Sequence, residues 1–297
     1  MVRESSSPDR SGGLIDNTEY SFTAKDLSFI ANIMKNDTGI VLSEAKASLV
    51  YSRLAKRIRK LGLSGFSEYC SLVKSPEGVG ERKEMMAALT TNVTGFFREA
   101  HHFEHMRSKI LPDLIQRAKA GERIRMWSAA CSSGPEPYSI ALTLLRLLPD
   151  ARNYDIRILA TDLDENILAT AKAGIYEESQ LVPVSADLRK SWFKPVDAQP
   201  GCFQVKDELR SLVSFKPLNL IGNWPMKGRF QVIFCRNVVI YFDSHTQETL
   251  WSRFIPLLDD DGALYVGHSE RVAGEASMHV RSDGVTTYRK LASELKK

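Results

Sequence analysis

The sequence predicts an α/β protein: a Rossmann-like parallel sheet with an inserted small antiparallel β-subdomain, preceded by a small all-helical N-terminal domain. Three observations predict it. From Arg123 onward, short apolar β-type runs alternate with helical patterns, as βαβ units require. From Thr23 to about Ala88 the pattern is helical, punctuated by Gly39, Gly62, Gly65 and the Ser75–Gly78 turn. Three β-type runs also end in polar or small residues, and an open parallel sheet binds its ligands just outside the carboxyl ends of its strands.

Taken in order, residues 1–20 are rich in Ser, Gly, Asp and Arg and read as a disordered tail. Residues 21–95 read as the helical domain, and 96–122 as a linker helix and connector, interrupted or restarted at Pro112. In the segment 123–297 the expected elements are strand 123–130, helix 137–148, strand 156–161 and helix 164–173. Between about 183 and 217 the alternation fails, and Pro195, Pro200 and Gly201 precede β-like runs at 202–205 and 212–215. This is the predicted antiparallel excursion. Strands resume at 231–235 and 263–267, the latter after an Asp260-Asp261-Gly262 turn, and a last strand at 286–290 closes the sheet.

At 297 residues the chain has room for about two domains. A net charge of +4 is too mild to argue for nucleic acid. No apolar run approaches the ~20 residues of a membrane span, and Met1–Pro8 does not open a secretory signal. Cys70, Cys131, Cys202 and Cys235 show no CxxC spacing, which suits a reducing cytoplasm and gives no support for a structural zinc.

The loop Cys131–Tyr138 offers small residues for close approach to a ligand, with Pro137 in the first turn of a helix. Glu136 in that loop disfavours a phosphate, and GxGxxG is absent. The plain alternative is a tight βα turn. Asp162 is placed either to bind ribose hydroxyls or to cap the following helix. His101, His102 and His105 lack a third metal ligand at suitable spacing and HExxH is absent, so they read as a solvated or capped helix face and no metal is expected. Residues 46–61 form an amphipathic helix with Val50, Leu54, Ile58 and Leu61 on one face. Arg53, Lys56, Arg57, Arg59 and Lys60 are left over either as a solvated surface or as a dock for an acidic partner.

Six ordered segments together resemble the chemotaxis receptor glutamate O-methyltransferase family (CheR). They are Leu89–Glu99, Trp127–Ala130, Glu136–Ala141, Ala160–Asp164, Ile233–Asp243 and Gly267–Glu270. The resemblance spans about Thr23 to Leu291 and implies a Rossmann-like S-adenosylmethionine (SAM) methyltransferase sheet with a β-subdomain behind the helical domain. It implies that Asn92, Thr94, Arg98, Glu136, Asp162, Asn219, Leu220, Arg236 and Asn237 contact SAM, and that Tyr241 sits beside the transferring methyl. Arg98 and Tyr241 orient either the cofactor or the acceptor; the sequence leaves both open. The implied reaction esterifies glutamate side chains on methyl-accepting chemotaxis receptors and leaves S-adenosylhomocysteine. The basic helix would face the receptor's cytoplasmic helices, and the enzyme would be a cytoplasmic monomer that binds no nucleic acid and inserts in no membrane.

Two departures stand out. Members often read Gly-Glu-Glu-Pro-Tyr where this chain has Pro135 in place of the first Glu, with Glu136 retained. Some members dock a receptor pentapeptide through a Gly-containing loop of the β-subdomain, which Lys194–Gly201 does not reproduce. Because the carboxylate acceptor is already ionised at neutral pH, with a reference pKa of about 4.3, no general base is needed. The rival readings are a methyltransferase for nucleic acid or a small molecule, and a non-catalytic SAM-sensing scaffold. Asn237–Tyr241 lacks the Asn-Pro-Pro-Tyr motif of amino-group methyltransferases, and the retained Arg98, Asn237 and Tyr241 count against a scaffold.

Overall fold

The computed structural model describes residues 14–15 and 18–292, so most of the expected tail lies outside the described residues. Two compact units meet at Thr90–Thr91, ahead of the residue 95 expected for the end of the helical domain. Asn92 belongs with the second unit because its carbonyl accepts from Ser132 Oγ and its amide donates to Asp164.

The first unit packs α1 (Ala24–Thr38), α2 (Ala47–Leu61), α3 (Phe66–Lys74) and α4 (Val79–Leu89) around one core. A Thr23/Asp26 capping box starts α1, and left-handed Gly39 and Gly62 close α1 and α2, as a residue without Cβ permits. Val50, Leu54 and Ile58 are fully buried, whereas Leu61, the last residue of α2, is exposed. Ile15 and Tyr20, inside the expected tail, pack on this core, and the Tyr20 N–H donates to Tyr51.

The second unit begins with α5 (Ala100–His105), a π-helical turn (Met106–Ile110) and α6 (Leu111–Lys119). The widened turn precedes Pro112, whose ring excludes the regular bond to the carbonyl four residues back. Then follow β1 (Ile124–Ala129), α7 (Pro135–Leu147), β2 (Ile156–Asp162), α8 (Glu165–Ala173), β3 (Ile175–Glu177), α9 (Ala186–Trp192), β4 (Phe193–Pro195), β5 (Cys202–Val205), α10 (Asp207–Arg210), β6 (Val213–Pro217), β7 (Phe230–Cys235), α11 (Ser244–Leu257), β8 (Leu258–Val266), β9 (Val280–Gly284) and β10 (Thr287–Lys290). The seven-stranded sheet runs β6-β2-β1-β7-β8-β10-β9, with β10 antiparallel to both neighbours and the other pairings parallel.

Three expectations are corrected. The run at 212–215 is not part of the antiparallel excursion: β6 pairs parallel with β2 at the edge of the main sheet. The excursion is the sheet β3-β5-β4, which starts earlier, at Ile175. Asp260-Asp261-Gly262 lies within β8, where Asp261 takes a positive φ and the register with β7 shifts. The strand at the sheet's end is β9, whose polar residues hid it, and β10 lies inside it.

Candidate functional site

The strand order reverses between β1 and β7, which puts a crevice at their carboxyl ends. Two clusters of side chains flank the end of β1.

The first lies on the β2 side. Asp162 is buried; its Oδ2 accepts from the Ser132 N–H at 2.8 Å and its Oδ1 from the Asp164 N–H at 3.0 Å. The helix cap expected of Asp162 falls instead to Asp164, whose Oδ1 accepts from the N–H groups of Asn166 and Ile167. Burial raises the Asp162 pKa, and the backbone donors oppose it. The Asp162 carboxylate retains accepting capacity for a hydroxyl. The loop between β1 and α7 approaches closely because Ala130, Ser132 and Gly134 all adopt positive φ. A Cβ on Gly134 would lie 2.8 Å from Tyr176 Oη, so this position admits only glycine. Pro135 occupies the first helical turn of α7, where a missing N–H costs nothing.

Beyond β6, the Leu218 N–H donates to the Asp162 carbonyl, which brings Asn219 and buried Leu220 beside Asp162. Arg253 and Trp224, which sequence reasoning did not single out, hold this turn. Arg253 donates to the carbonyls of Leu220 and Gly222 while stacking over Trp224 at 4.0 Å, and Trp224 Nε1 donates to the Leu220 carbonyl.

The second cluster is a buried charge network on the β7 side. Arg236 Nη1 lies 3.1 Å from Glu136 Oε2, and Nη2 lies 3.2 Å from Glu99 Oε2 while donating to the Arg98 carbonyl. Glu136 Oε1 accepts from Ser128 Oγ at 2.7 Å. Both Glu136 oxygens therefore have protein donors, with Oε2 paired to Arg236. Burial raises the Glu136 pKa against the pull of Arg236 and Ser128. For Glu99 burial also acts upward, yet Arg236, Asn237 and the His268 N–H carry its carboxyl down to about 2.

Asn237 takes a positive φ and donates through Nδ2 to Glu99 Oε1 at 3.3 Å. Its loop is organised by Glu270. Oε1 of this buried carboxylate accepts from the N–H groups of Val238, Val239 and Ile240, and Oε2 accepts from those of Asn237 and Gly267. A Cβ on Gly267 would lie 2.7 Å from both Asn237 nitrogens, so only glycine allows this approach. Tyr241 ends the 3-10 turn Val239–Tyr241 that Glu270 caps, and is half-buried. Glu99, Ser128 and Glu270 lay inside or beside recognised segments, yet only the pairings reveal their work. Thr94 is half-buried, and Arg98 donates to the Val93 carbonyl at 3.0 Å.

The histidine expectation is overturned. His102 is fully buried and meets Thr286 Oγ1 and the Val285 carbonyl; His105 meets Tyr265 Oη and Asp283. They tie α5 to β8 and the β9–β10 turn, and only His101 is exposed. Burial, then Arg236 and His101, holds His102 down to about 3.

Of the five basic residues on α2, three are committed within the first unit. Arg57 makes a bidentate pair with Glu81 and a second with Glu84, Arg53 donates to the carbonyls of Ala88 and Thr90, and Arg59 pairs with Glu19. Lys56 and Lys60 are exposed.

Comparison with known proteins identifies the family. Residues 92–288 match the family described as "CheR methyltransferase, SAM binding domain", and residues 25–90 match "CheR methyltransferase, all-alpha domain". A Rhizobium etli protein named "Probable chemotaxis protein methyltransferase" is 59% identical over 255 residues, covering 86% of this chain and 95% of that protein. Chemotaxis protein methyltransferase 2 of Pseudomonas aeruginosa is 42% identical over 92% of this chain and 95% of its own length. The Escherichia coli chemotaxis protein methyltransferase is also 42% identical, over 81% of this chain and 82% of its own. The chain belongs to the CheR family of SAM-binding chemotaxis protein methyltransferases.

Proposed function

We propose that the chain transfers the methyl group of SAM to glutamate side-chain carboxylates on the cytoplasmic helices of chemotaxis receptors, forming glutamyl methyl esters and S-adenosylhomocysteine. One observation supports this choice of acceptor above others. Buried Glu136, Asp162 and Glu270 and half-buried Glu99 are each engaged by protein donors or by Arg236, so each has a structural task beside any role as a base. A carboxylate acceptor, ionised at neutral pH, needs no base.

The residues fit the cofactor. Asp162 offers acceptor lone pairs to vicinal hydroxyls, with Asn219 and Leu220 beside it and Asn92 and Thr94 on the chain entering from Thr91. Arg236, held by Glu136, and Asn237, held by Glu99 and Glu270, form the opposite wall with Arg98. When bound, SAM supplies an electrophilic sulfonium methyl. The protein's share of the chemistry is alignment and exclusion of water. In this reading Tyr241 orients the acceptor beside the methyl, and Arg98 serves both partners. Lys56 and Lys60 are the basic side chains of α2 left for an acidic receptor helix.

The test is transfer from radiolabelled SAM to receptor-enriched membranes, followed by alkaline treatment. Label released as methanol supports a carboxyl ester. Label that stays on protein through alkali, or enters nucleic acid or small molecules instead, overturns it.

A further inference from the structure

Glu99 Oε2 and His102 Nδ1 are buried atoms that face each other without a hydrogen bond among the described residues. His102 Nε2 lies 3.3 Å from the Val285 carbonyl and 2.9 Å from Thr286 Oγ1. The tautomer protonated at Nε2, which donates to the Val285 carbonyl, leaves Nδ1 with a bare lone pair. That lone pair faces Glu99 Oε2 at 3.5 Å, and neither atom has a hydrogen-bond partner among the described residues. Arg236 lies 3.2 Å from Glu99 Oε2 but donates nothing to His102 Nδ1. In that tautomer Arg236 offsets the Glu99 charge from one side, and the His102 Nδ1 lone pair is left for a positive centre between the two atoms.

The spacing discriminates among occupants. A water about 2.8 Å from each atom would be pinched to an angle of about 77°, a poor geometry for two hydrogen bonds. A transition-metal ion with bonds of about 2.0–2.1 Å sets tetrahedral ligand atoms about 3.4 Å apart, close to the spacing found. His101 supplies a third ligand. Its ring lies 4.1 Å from that of His102, and the coordinating atoms of Glu99, His101 and His102 lie within 4.8 Å of one another. The Val285 carbonyl on Nε2 is the outer contact that fixes a metal-binding imidazole in its orientation. Glu99, Glu136 and Arg236 together carry one net negative charge, which favours a cation. Exposed His101 opens the cluster to solvent.

We propose that Glu99, His101 and His102 form a site for a divalent transition metal of the zinc class, with two imidazole ligands, one carboxylate and a fourth position open to solvent. The sequence reading expected no metal at these histidines, and His105 is not part of the cluster because it meets Tyr265 and Asp283. The test titrates Co(II), as a visible-absorbing substitute for Zn(II), into chelator-stripped full-length protein. The expected result is a one-to-one rise of tetrahedral-type visible bands, reversed by Zn(II) and weakened at least about tenfold in affinity by His101→Ala. His279→Ala, an exposed histidine elsewhere, should bind as the wild type does. Because His101 is exposed, its variant keeps the test independent of folding. Absence of the bands, or equal affinity in wild type and His101→Ala, overturns the proposal.

Discussion

Glu270→Gln should loosen the loop that carries Asn237 and Tyr241. Glu270 holds five backbone N–H groups: three on Oε1, at 2.9, 2.9 and 3.4 Å, and two on Oε2, at 2.9 and 2.6 Å. A carboxamide has one accepting oxygen, so in either orientation its NH2 group meets at least two N–H donors head-on. Hydrogen bonds to a charged group contribute about 1.5–3 kcal/mol each, so losing two costs about 3–6 kcal/mol. That is a large share of a domain's stability of about 5–15 kcal/mol. Urea unfolding should show a lowered midpoint for the second unit, and calorimetry should show weaker SAM binding because Asn237 is no longer held. Glu270→Asp, which keeps the charge but falls one methylene short, should lie between the two. A Glu270→Gln protein destabilised by less than about 1 kcal/mol with wild-type SAM affinity would refute the cradle.

Asp162→Ala should weaken SAM binding by about 1–3 kcal/mol, or about 5- to 150-fold; unchanged affinity in folded protein removes it from the site. Tyr241→Phe should lower kcat more than it raises the SAM Kd, whereas equal losses would make Tyr241 a binding residue. Glu99 has a folded pKa of about 2 against an ordinary 4.5, so its contribution is present above pH 4.5 and disappears as pH falls towards 2. In chelating buffer the stability gap between wild type and Glu99→Gln should therefore narrow across this acid window. A constant gap would contradict it. Reversing Lys56 and Lys60 to Glu should raise the receptor KM without touching SAM affinity, with wild-type methylation slowing as salt rises; normal methylation of receptor at low salt by that variant would leave α2 as a solvated surface. Arg57 is unsuitable for that test, because reversing it sets a like charge against Glu81 and Glu84.

The sequence by itself determined the layered order of elements, because hydrophobic periodicity is local: period 3.6 through Ala88, then β-type runs that end at Ala130, Asp162 and Cys235. It also placed Asp162, Arg236 and Asn237 at strand ends, since that location follows from where each apolar run stops. Partnership was beyond its reach. Arg53, Arg57 and Arg59 read as free cations until the fold set Glu81, Glu84, Glu19 and two carbonyls against them. His102 and His105 read as a solvated face until the β9–β10 turn supplied their acceptors more than 150 positions away. Glu270 and Glu136 look like ordinary acids in their own segments; only packing gave one a ring of amides and the other a buried guanidinium. Strand edges such as β6 and β9 went the same way, because a half-exposed strand has a weak pattern and its place depends on which neighbour offers hydrogen bonds. Local periodicity decides what an element is, and long-range complementarity of donors, acceptors and charge decides what each polar residue does.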